Sequence, residues 1–215
     1  MPGISCGTKI GVILVIMDAF SKFVMTYMLR TKAASVVAPA LKQYFAWAER
    51  QARRYTSKNI GDTRAAFPVR QLLTDKGGEF ASSEFKHWLN IRGIEHVQVG
   101  PVSSQQNPCE RVDRTVIMMT RAMMQHSGMS RIFWTDAFQY AVYIKNRIFS
   151  RGCASTPYET MFGMRPDIHH LRTFGSLAYA HVKSNARRHE LQITLISGMF
   201  WATQKILWVA NSLSG

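Results

Sequence analysis

The chain has 215 residues, of which 47% are hydrophobic and 11% aromatic. This composition is sufficient for a packed core and excludes a wholly disordered chain. The longest clean apolar run covers residues 11–17 (GVILVIM), far fewer than the roughly 20 residues that cross a bilayer. The amino terminus also lacks the charged start and apolar stretch of a signal peptide. We therefore expect no membrane partner.

The charge of the chain indicates the class of partner. Lysine and arginine number 27 against 13 acidic residues, which gives a net charge of +14 and a pI of about 10.2. The cations are spread along the sequence, as on a folded basic surface that binds a polyanion such as nucleic acid. A basic protein without such a partner would have the same composition. The three cysteines, Cys6, Cys109 and Cys153, show no CxxC spacing, so we predict no zinc site.

Hydrophobic periodicity predicts the elements in chain order. Strands are predicted at residues 11–17 and 23–29, followed by a helix over 41–54 with Pro39 tolerated in its first turn. A loop over 58–68, a strand at 69–74, a helix over 83–92 and a strand at 94–99 come next. After a polar loop at 100–107, Pro108 begins a helix that runs to Gly128, and Ser130 caps another. The order β-β-α-β-α-β-α-α predicts an α/β domain with a mixed sheet.

The charge and the hydrophobic periodicity of the sequence change after about residue 165. Residues 177–182 (LAYAHV) are typical of a strand, whereas residues 191–215 contain no acid, one base and no clear period. We therefore predict two segments, a domain over residues 1–165 and a smaller appendage over 166–215. The sequence contains no internal repeat.

Two acidic residues stand out by their position. Asp75 is predicted at the carboxyl end of a strand, beside glycines that would let a ligand approach closely, and Glu110 is predicted in the first turn of a helix. Sites in α/β sheets form at strand ends. Two carboxylates brought together hold divalent cations, and a pair of such ions can act on a phosphodiester. A turn-forming aspartate and a helix amino-terminal glutamate are the structural alternatives.

Several segments resemble, in order, the integrase core of copia-type retrotransposon polyproteins. The segments are residues 18–23 (DAFSKF), 74–80 (TDKGGEF), 105–115 (QQNPCERVDRT), 133–137 (FWTDA), 146–147 (NR), 156–159 (TPYE) and 170–175 (HLRTFG). The resemblance covers about residues 1–183. It implies a ribonuclease-H-like fold, followed by the start of an SH3-like β segment. It also implies a catalytic Asp-Asp-Glu triad with Mg²⁺ or Mn²⁺, and the insertion of element DNA by 3′-end processing and strand transfer.

Carried over by position, the resemblance makes Asp75 the second catalytic and metal-binding acid and Glu110 the third. Asp18 precedes Phe-Ser-Lys-Phe, where the family has a non-catalytic aspartate, so we expect a structural role for Asp18. The family's first catalytic aspartate lies about twenty residues earlier, in a His-x-Asp-x-x-Gly-Pro segment that these residues do not include. We therefore expect the first strand of the fold to be missing and the chain to lack strand-transfer activity.

Several cations lie near this site in sequence, and so do several differences from the family pattern. Lys76, Arg111 and Arg114 are candidates for contacts with DNA phosphates, and a solvated charged face is the alternative. The family has 35 residues between its second and third acids, whereas 34 separate Asp75 and Glu110 here, and proline replaces the loop glycine at position 108. Asp113 replaces the family's asparagine.

The resemblance also implies partners and a setting. DNA, both the element ends and the target, is the expected partner. An intact integrase of this family works as a homo-oligomer in the nucleus, and no small-molecule substrate is expected. Two other hypotheses remain open: a relic that binds nucleic acid without cutting it, and a ribonuclease-H-like nuclease. Trp134 is expected to anchor the core.

Overall fold

The computed structural model describes residues 11–58, 69–99, 108–181 and 195–200. These residues fall into two compact units. The first unit comprises Met1–Asp113 together with Ile148–Arg165, and the second comprises Arg114–Arg147 together with Pro166–Gly215. The predicted boundary between residues 165 and 166 stays a prediction. Among the described residues, no helix is both long and apolar enough to cross a bilayer.

The predicted element order is confirmed. Strands β1 (Val12–Met17) and β2 (Val24–Leu29) pair antiparallel, with Met17 opposite Val24. Helix α1 (Ala34–Lys58) follows, and then strand β3 (Gln71–Asp75), helix α2 (Ser83–Ile91) and strand β4 (Glu95–Val99). Strands β3 and β4 pair in parallel, with Asp75 opposite Val99. The antiparallel and parallel pairs together with the helices confirm the α/β class. Among the described residues, however, these pairs are separate two-stranded sheets and not the one mixed sheet that the sequence predicted.

The remaining elements are mostly helical. Helix α3 (Pro108–Ser127) and helix α4 (Trp134–Lys145) are followed by the short helix α5 (Pro157–Phe162). Strands β5 (Ser176–His181) and β6 (Leu195–Phe200) pair antiparallel. Strand β5 confirms the strand predicted at residues 177–182. The SH3-like assignment of residues 166–215 is not tested and stays a prediction.

The core of the first unit joins α1 and α2 to strand β2 and to Ile94, the residue that precedes β4. Phe45, Phe85 and Leu89 are each only 1% exposed, and full burial of such a side chain contributes about 1.5–3 kcal/mol. Trp88 stacks on Phe45, with ring centroids 5.6 Å apart. A second, separate core within the second unit contains Met129, Ala137, Tyr140 and Phe174.

Helix α1 begins earlier than predicted. It starts at Ala34, so Pro39 lies inside the helix rather than in its first turn. Pro39 has no N–H to donate to the carbonyl of Ser35. Both residues are exposed, so water can bind that carbonyl, and the proline is tolerated. The predicted loop at 58–68 overlaps the end of α1 at Lys58, and its other residues up to 68 lie outside the described residues, as does the loop at 100–107.

Three differences concern the carboxyl-terminal half of the chain. Ser130 precedes a 3₁₀ turn (Arg131–Phe133) rather than capping a long helix, and α4 begins only at Trp134. Trp134 is 41% exposed, so the prediction that it anchors the core is wrong. Its neighbour Phe133 packs against the second core instead. Strand β6 lies in the segment for which the sequence showed no period, and the residues after 200 lie outside the described part of the chain.

Candidate active site

Strand β3 ends at Asp75, as the sequence predicted, and Asp75 is exposed. Asp75 Oδ1 accepts a hydrogen bond of 3.3 Å from the backbone N–H of Gly77. This distance is at the long limit for an N–H···O bond, so the contact restrains the side chain only weakly. The Asp75 carboxylate is therefore available to an external ligand.

Gly77 has a different role from the one that the sequence suggested. A Cβ added at Gly77 would lie only 2.5 Å from Oε2 of Glu79. The flexible end of the Glu79 side chain therefore fills the space beside Gly77. No atom lies within 4 Å of a Cβ added at Gly78. The Asp75 and Glu79 carboxylates thus both lie next to Gly77, and sequence reasoning did not identify Glu79.

A buried polar contact lies behind Asp75. The Thr74 hydroxyl donates to the backbone carbonyl of Asp75 at 2.9 Å, and Thr74 Oγ1 lies 3.0 Å from Nε2 of His96. Burial, and then the positive charge of Lys86, lower the pKa of His96. No local signal in the sequence predicts this pair, because only the parallel register of β3 and β4 brings residues 74 and 96 together.

Glu110 lies in the first turn of α3, as predicted, and is exposed. The preceding residue places this turn, because the Cys109 thiol lies within hydrogen-bonding reach of the Met17 backbone amide at the end of β1. Burial raises the pKa of Cys109; the hydrogen bond from Met17 opposes that effect, and the negative charge of Asp113 adds to it. Burial also raises the pKa of Asp113. The first turn of α3 is therefore anchored beside β1.

Asp18 follows β1 in the turn that leads to β2. Its Oδ2 accepts two hydrogen bonds of 2.6 Å, one from the backbone N–H and one from the hydroxyl of Ser21. Ser21 is 1% exposed, and the last loop residue, Lys22, has a positive φ of 59°. This arrangement is a four-residue hairpin turn closed by a side chain. The carboxylate thus has a structural partner within its own turn, which supports the structural role predicted for Asp18.

Residues 7–104 match the integrase core domain family. The retrovirus-related Pol polyprotein from transposon TNT 1-94 of Nicotiana tabacum is 30% identical over 172 residues, which are 79% of this chain and 12% of that polyprotein. The chain contains an integrase core of the retrotransposon Pol type. The family match includes Asp18 and Asp75 and ends before Glu110.

Two further Pol polyproteins are similar to the same integrase core. Those from transposons RE2 and RE1 of Arabidopsis thaliana are 28% and 25% identical, over 63% and 77% of this chain. The chain spans about a tenth of the length of these relatives, 9% and 10%. The HTLV-2 integrase catalytic core domain, solved in a trimeric form with magnesium, superposes with a TM-score of 0.48 at 17% identity. That superposition covers 69% of this chain and 83% of the other.

The integrase core match supports the ribonuclease-H-like fold that the resemblance implied. It does not test individual site residues. Asp75 and Glu110 both lie in the first compact unit. Among the described residues, no group of three or more histidine, cysteine, aspartate or glutamate side chains could hold a metal ion. Asp18, Asp75 and Glu110 therefore do not form a three-member cluster, and the assignment of Asp75 and Glu110 to a metal stays a prediction.

The predicted DNA-binding cations of the integrase core are all exposed. Lys76 directly follows Asp75, and Arg111 and Arg114 lie on α3 three residues apart, so they share one side of the helix. Exposure is required for a contact with phosphate, but a solvated charged surface would show the same exposure. Their role in DNA binding thus stays a prediction.

Proposed function

We propose that this integrase core acts on DNA in metal-dependent 3′-end processing and strand transfer, the two steps by which element DNA is inserted. The observation that carries the proposal is the exposed Asp75 carboxylate at the carboxyl end of β3, within the segment that matches the integrase core domain. Strand ends are where α/β sheets present reacting groups. Glu110, exposed in the first turn of α3, supplies the second carboxylate.

The donor chemistry of these residues fits a hard divalent cation. Mg²⁺ and Mn²⁺ prefer oxygen ligands, and Mg²⁺ in particular is held by one or two carboxylates together with phosphate oxygens of the substrate. Asp75 and Glu110 would hold two such ions, which would polarise the phosphodiester and stabilise the attacking and leaving oxygens. The helix amino terminus favours the negative charge of Glu110 before any ion binds.

The charge of the chain supports DNA as the substrate. Its net charge is +14, and Lys76, Arg111 and Arg114 place three exposed cations next to the proposed carboxylates in sequence. Phosphate contacts of this kind position the duplex without reading its bases. Each neutralised phosphate releases counterions, so binding should weaken steeply as salt rises. Homo-oligomerisation and action in the nucleus on chromosomal DNA belong to the same proposal.

The 215-residue polypeptide by itself should not carry out strand transfer. The family resemblance calls for a third acid, and the carboxylate of Asp18, at the end of β1, is already bonded twice by Ser21 at 2.6 Å. Two carboxylates alone neutralise less of the charge of two divalent cations than three do. We therefore propose that catalysis requires an acid outside the described residues.

The test uses the purified chain and a labelled DNA duplex with Mg²⁺ or Mn²⁺. We expect salt-dependent binding of the duplex, and no joined product above that of a Glu110→Gln control. Replacing Lys76, Arg111 and Arg114 together by glutamine should reduce the slope of log affinity against log salt by about 3, roughly one unit per phosphate contact. Salt-independent binding, or an unchanged slope, would contradict the DNA-binding part. Joined product above the control would show that the chain itself completes the site.

A second function has a specific observation in its favour. Asp113 stands where the family has asparagine, and burial raises the pKa of its carboxyl close to Cys109. An additional acid on α3 disfavours approach of a phosphate and favours a core that binds nucleic acid without cutting it. If an asparagine at position 113, in a polypeptide that also supplies the third acid, still gives no cleavage, the non-catalytic function is favoured over the integrase proposal.

A further inference from the structure

A hydrogen-bonded pair holds the end of β3 from the sheet side. The Thr74 side chain is buried, with 8% of the residue exposed. Its Oγ1 is 2.9 Å from the backbone carbonyl oxygen of Asp75 and 3.0 Å from Nε2 of His96 on the neighbouring strand. Residues 74 and 96 are brought together by the parallel register, in which Leu72 lies opposite His96 and Thr74 opposite Gln98.

Counting hydrogens fixes the direction of these two bonds. The Thr74 hydroxyl has a single hydrogen, and it donates this hydrogen to the Asp75 carbonyl. Thr74 Oγ1 must then accept from His96, which requires a hydrogen on Nε2 of the imidazole. The opposite tautomer, with its lone pair on Nε2, would withdraw the Thr74 hydrogen from the Asp75 carbonyl.

The surroundings of His96 favour a neutral ring in one orientation. Burial and the positive charge of Lys86 lower the pKa of His96, so the imidazole carries a single hydrogen at neutral pH. The Phe85 ring, which is 1% exposed, meets the imidazole edge to face, with centroids 6.5 Å apart and an interplanar angle of 76°. A ring held in this way presents Nε2 to Thr74 in a constant direction.

We infer that Thr74 and His96 are positioning residues for Asp75. They act through the chain of bonds His96 Nε2–H to Thr74 Oγ1 and Thr74 O–H to the Asp75 carbonyl. Hydrogen bonds in series polarise and strengthen one another. This chain fixes the peptide group at which the backbone leaves β3, and with it the origin of the Asp75 carboxylate. Its relevance to catalysis rests on the proposed function, whereas the bond chain itself does not.

The first measurement is nuclear magnetic resonance of the metal-free chain. Long-range correlations of His96 should place its hydrogen on Nε2. The amide N–H of Lys76 belongs to the same peptide group as the Asp75 carbonyl, so its resonance reports the bond from Thr74. That resonance should move in Thr74→Val, which removes the donor to the carbonyl, and should move less in His96→Leu, which removes only the donor to Thr74 Oγ1. It should stay near the native position in Thr74→Ser and His96→Gln, since the glutamine amide offers an N–H at the place of Nε2.

The second measurement is a titration of the same variants with Mn²⁺, with Asp75→Asn as the reference for a lost site. We expect Thr74→Val to bind Mn²⁺ about 10-fold more weakly, the lower end of the effect of outer-shell partners. Thr74→Ser should keep the native affinity. Thermal denaturation of each variant separates this loss from simple destabilisation, because a merely structural pair would lower Tm and leave the affinity of the folded protein unchanged.

The outcomes are distinct. A hydrogen on Nδ1 of His96, or a Lys76 amide resonance that does not respond to Thr74→Val, overturns the inference. Equal Mn²⁺ affinity in Thr74→Val and the native chain also overturns it. If the native chain binds no Mn²⁺ at Asp75, the metal site of the proposed function fails. The Lys76 resonance still decides whether the bond chain exists.

Discussion

Strands β1 and β3 both lead into an aspartate, and the two carboxylates have different surroundings. Asp18 follows β1, and its Oδ2 accepts two bonds of 2.6 Å from Ser21. Asp75 ends β3, and its Oδ1 accepts one long bond of 3.3 Å from Gly77. The same residue type at a strand end thus closes a turn in one case and faces solvent in the other. The turn that follows decides which, since Ser21 supplies two donors and Gly77 only its backbone.

The largest expected effect comes from removing the exposed carboxylate. Asp75→Asn should weaken Mn²⁺ binding by more than about 100-fold, because loss of an outer-shell partner alone costs about 10–100-fold. Asp18→Asn is the matched control, with the same chemical change at the other strand end, and should leave the affinity unchanged. Isothermal titration of both variants checks the comparison. An equal loss in the two would mean that Asp18 also binds the ion.

The next effect concerns the stability of the β1–β2 turn. Asp18→Ala should lower the free energy of unfolding by about 2 kcal/mol, because hydrogen bonds to a charged group contribute about 1.5–3 kcal/mol and the buried Ser21 hydroxyl keeps as its acceptor only Met161 Sδ, at 3.6 Å. Urea denaturation measures the change. Asp75→Ala is the control and should change stability by less than about 0.5 kcal/mol. A reversed order of the two would contradict the structural role of Asp18.

The Asp18 turn can also be improved, with a smaller effect. Lys22 has a φ of 59°, which costs about 1–2 kcal/mol for a residue with a Cβ. Lys22→Gly relieves this strain and loses about 0.4–1 kcal/mol through the freer unfolded chain. We expect a net gain of about 0.5–1 kcal/mol in urea denaturation. Ala154→Gly, at a φ of 53°, is the control without a change of charge and should behave alike.

The smallest effect concerns Asp113, an acid that lies near neither strand-end turn in sequence, and the pH dependence of stability. Burial raises the pKa of Asp113 above its ordinary value of 3.8, so the folded state binds the proton more tightly than the unfolded state. Stability therefore falls as pH rises through this range. Asp113→Asn should be more stable than the native chain at neutral pH, and the gain should disappear below 3.8. Urea midpoints at both pH values measure it; a gain independent of pH would contradict this cause.

The sequence predicted the position of Asp75 because the signal lies in adjacent residues: a β-rich run, an acidic residue and two glycines. The same holds for Pro108 and Gly128, which bound α3. Helix α5 also has a local signal in the sequence. The Thr156 side chain accepts from the backbone N–H of Glu159, and a proline stands at the helix start. That pattern of a capping residue followed three residues later by glutamate is a known helix start.

Other features depend on contacts between distant residues. The pairing of Thr74 with His96 requires the β3–β4 register, and the anchoring of Cys109 to Met17 joins residues 92 positions apart. Trp134 and Phe133 are both aromatic and adjacent, so periodicity alone did not tell which one packs inward. Pro39 was placed at a helix start by its usual preference, whereas the exposed side of a long helix also accepts it.

The thiol next to Glu110 gives the first turn of α3 a built-in reporter. Cys109 is half-buried against the backbone of Met17, and its raised pKa keeps it in the unreactive protonated form at neutral pH. Alkylating reagents therefore modify Cys109 chiefly when the turn separates from β1. The alkylation rate then reports how often that opening occurs. A cation or DNA that binds Glu110 would lower the rate of Cys109 alkylation. Occupancy of the site could therefore be followed without any enzymatic turnover.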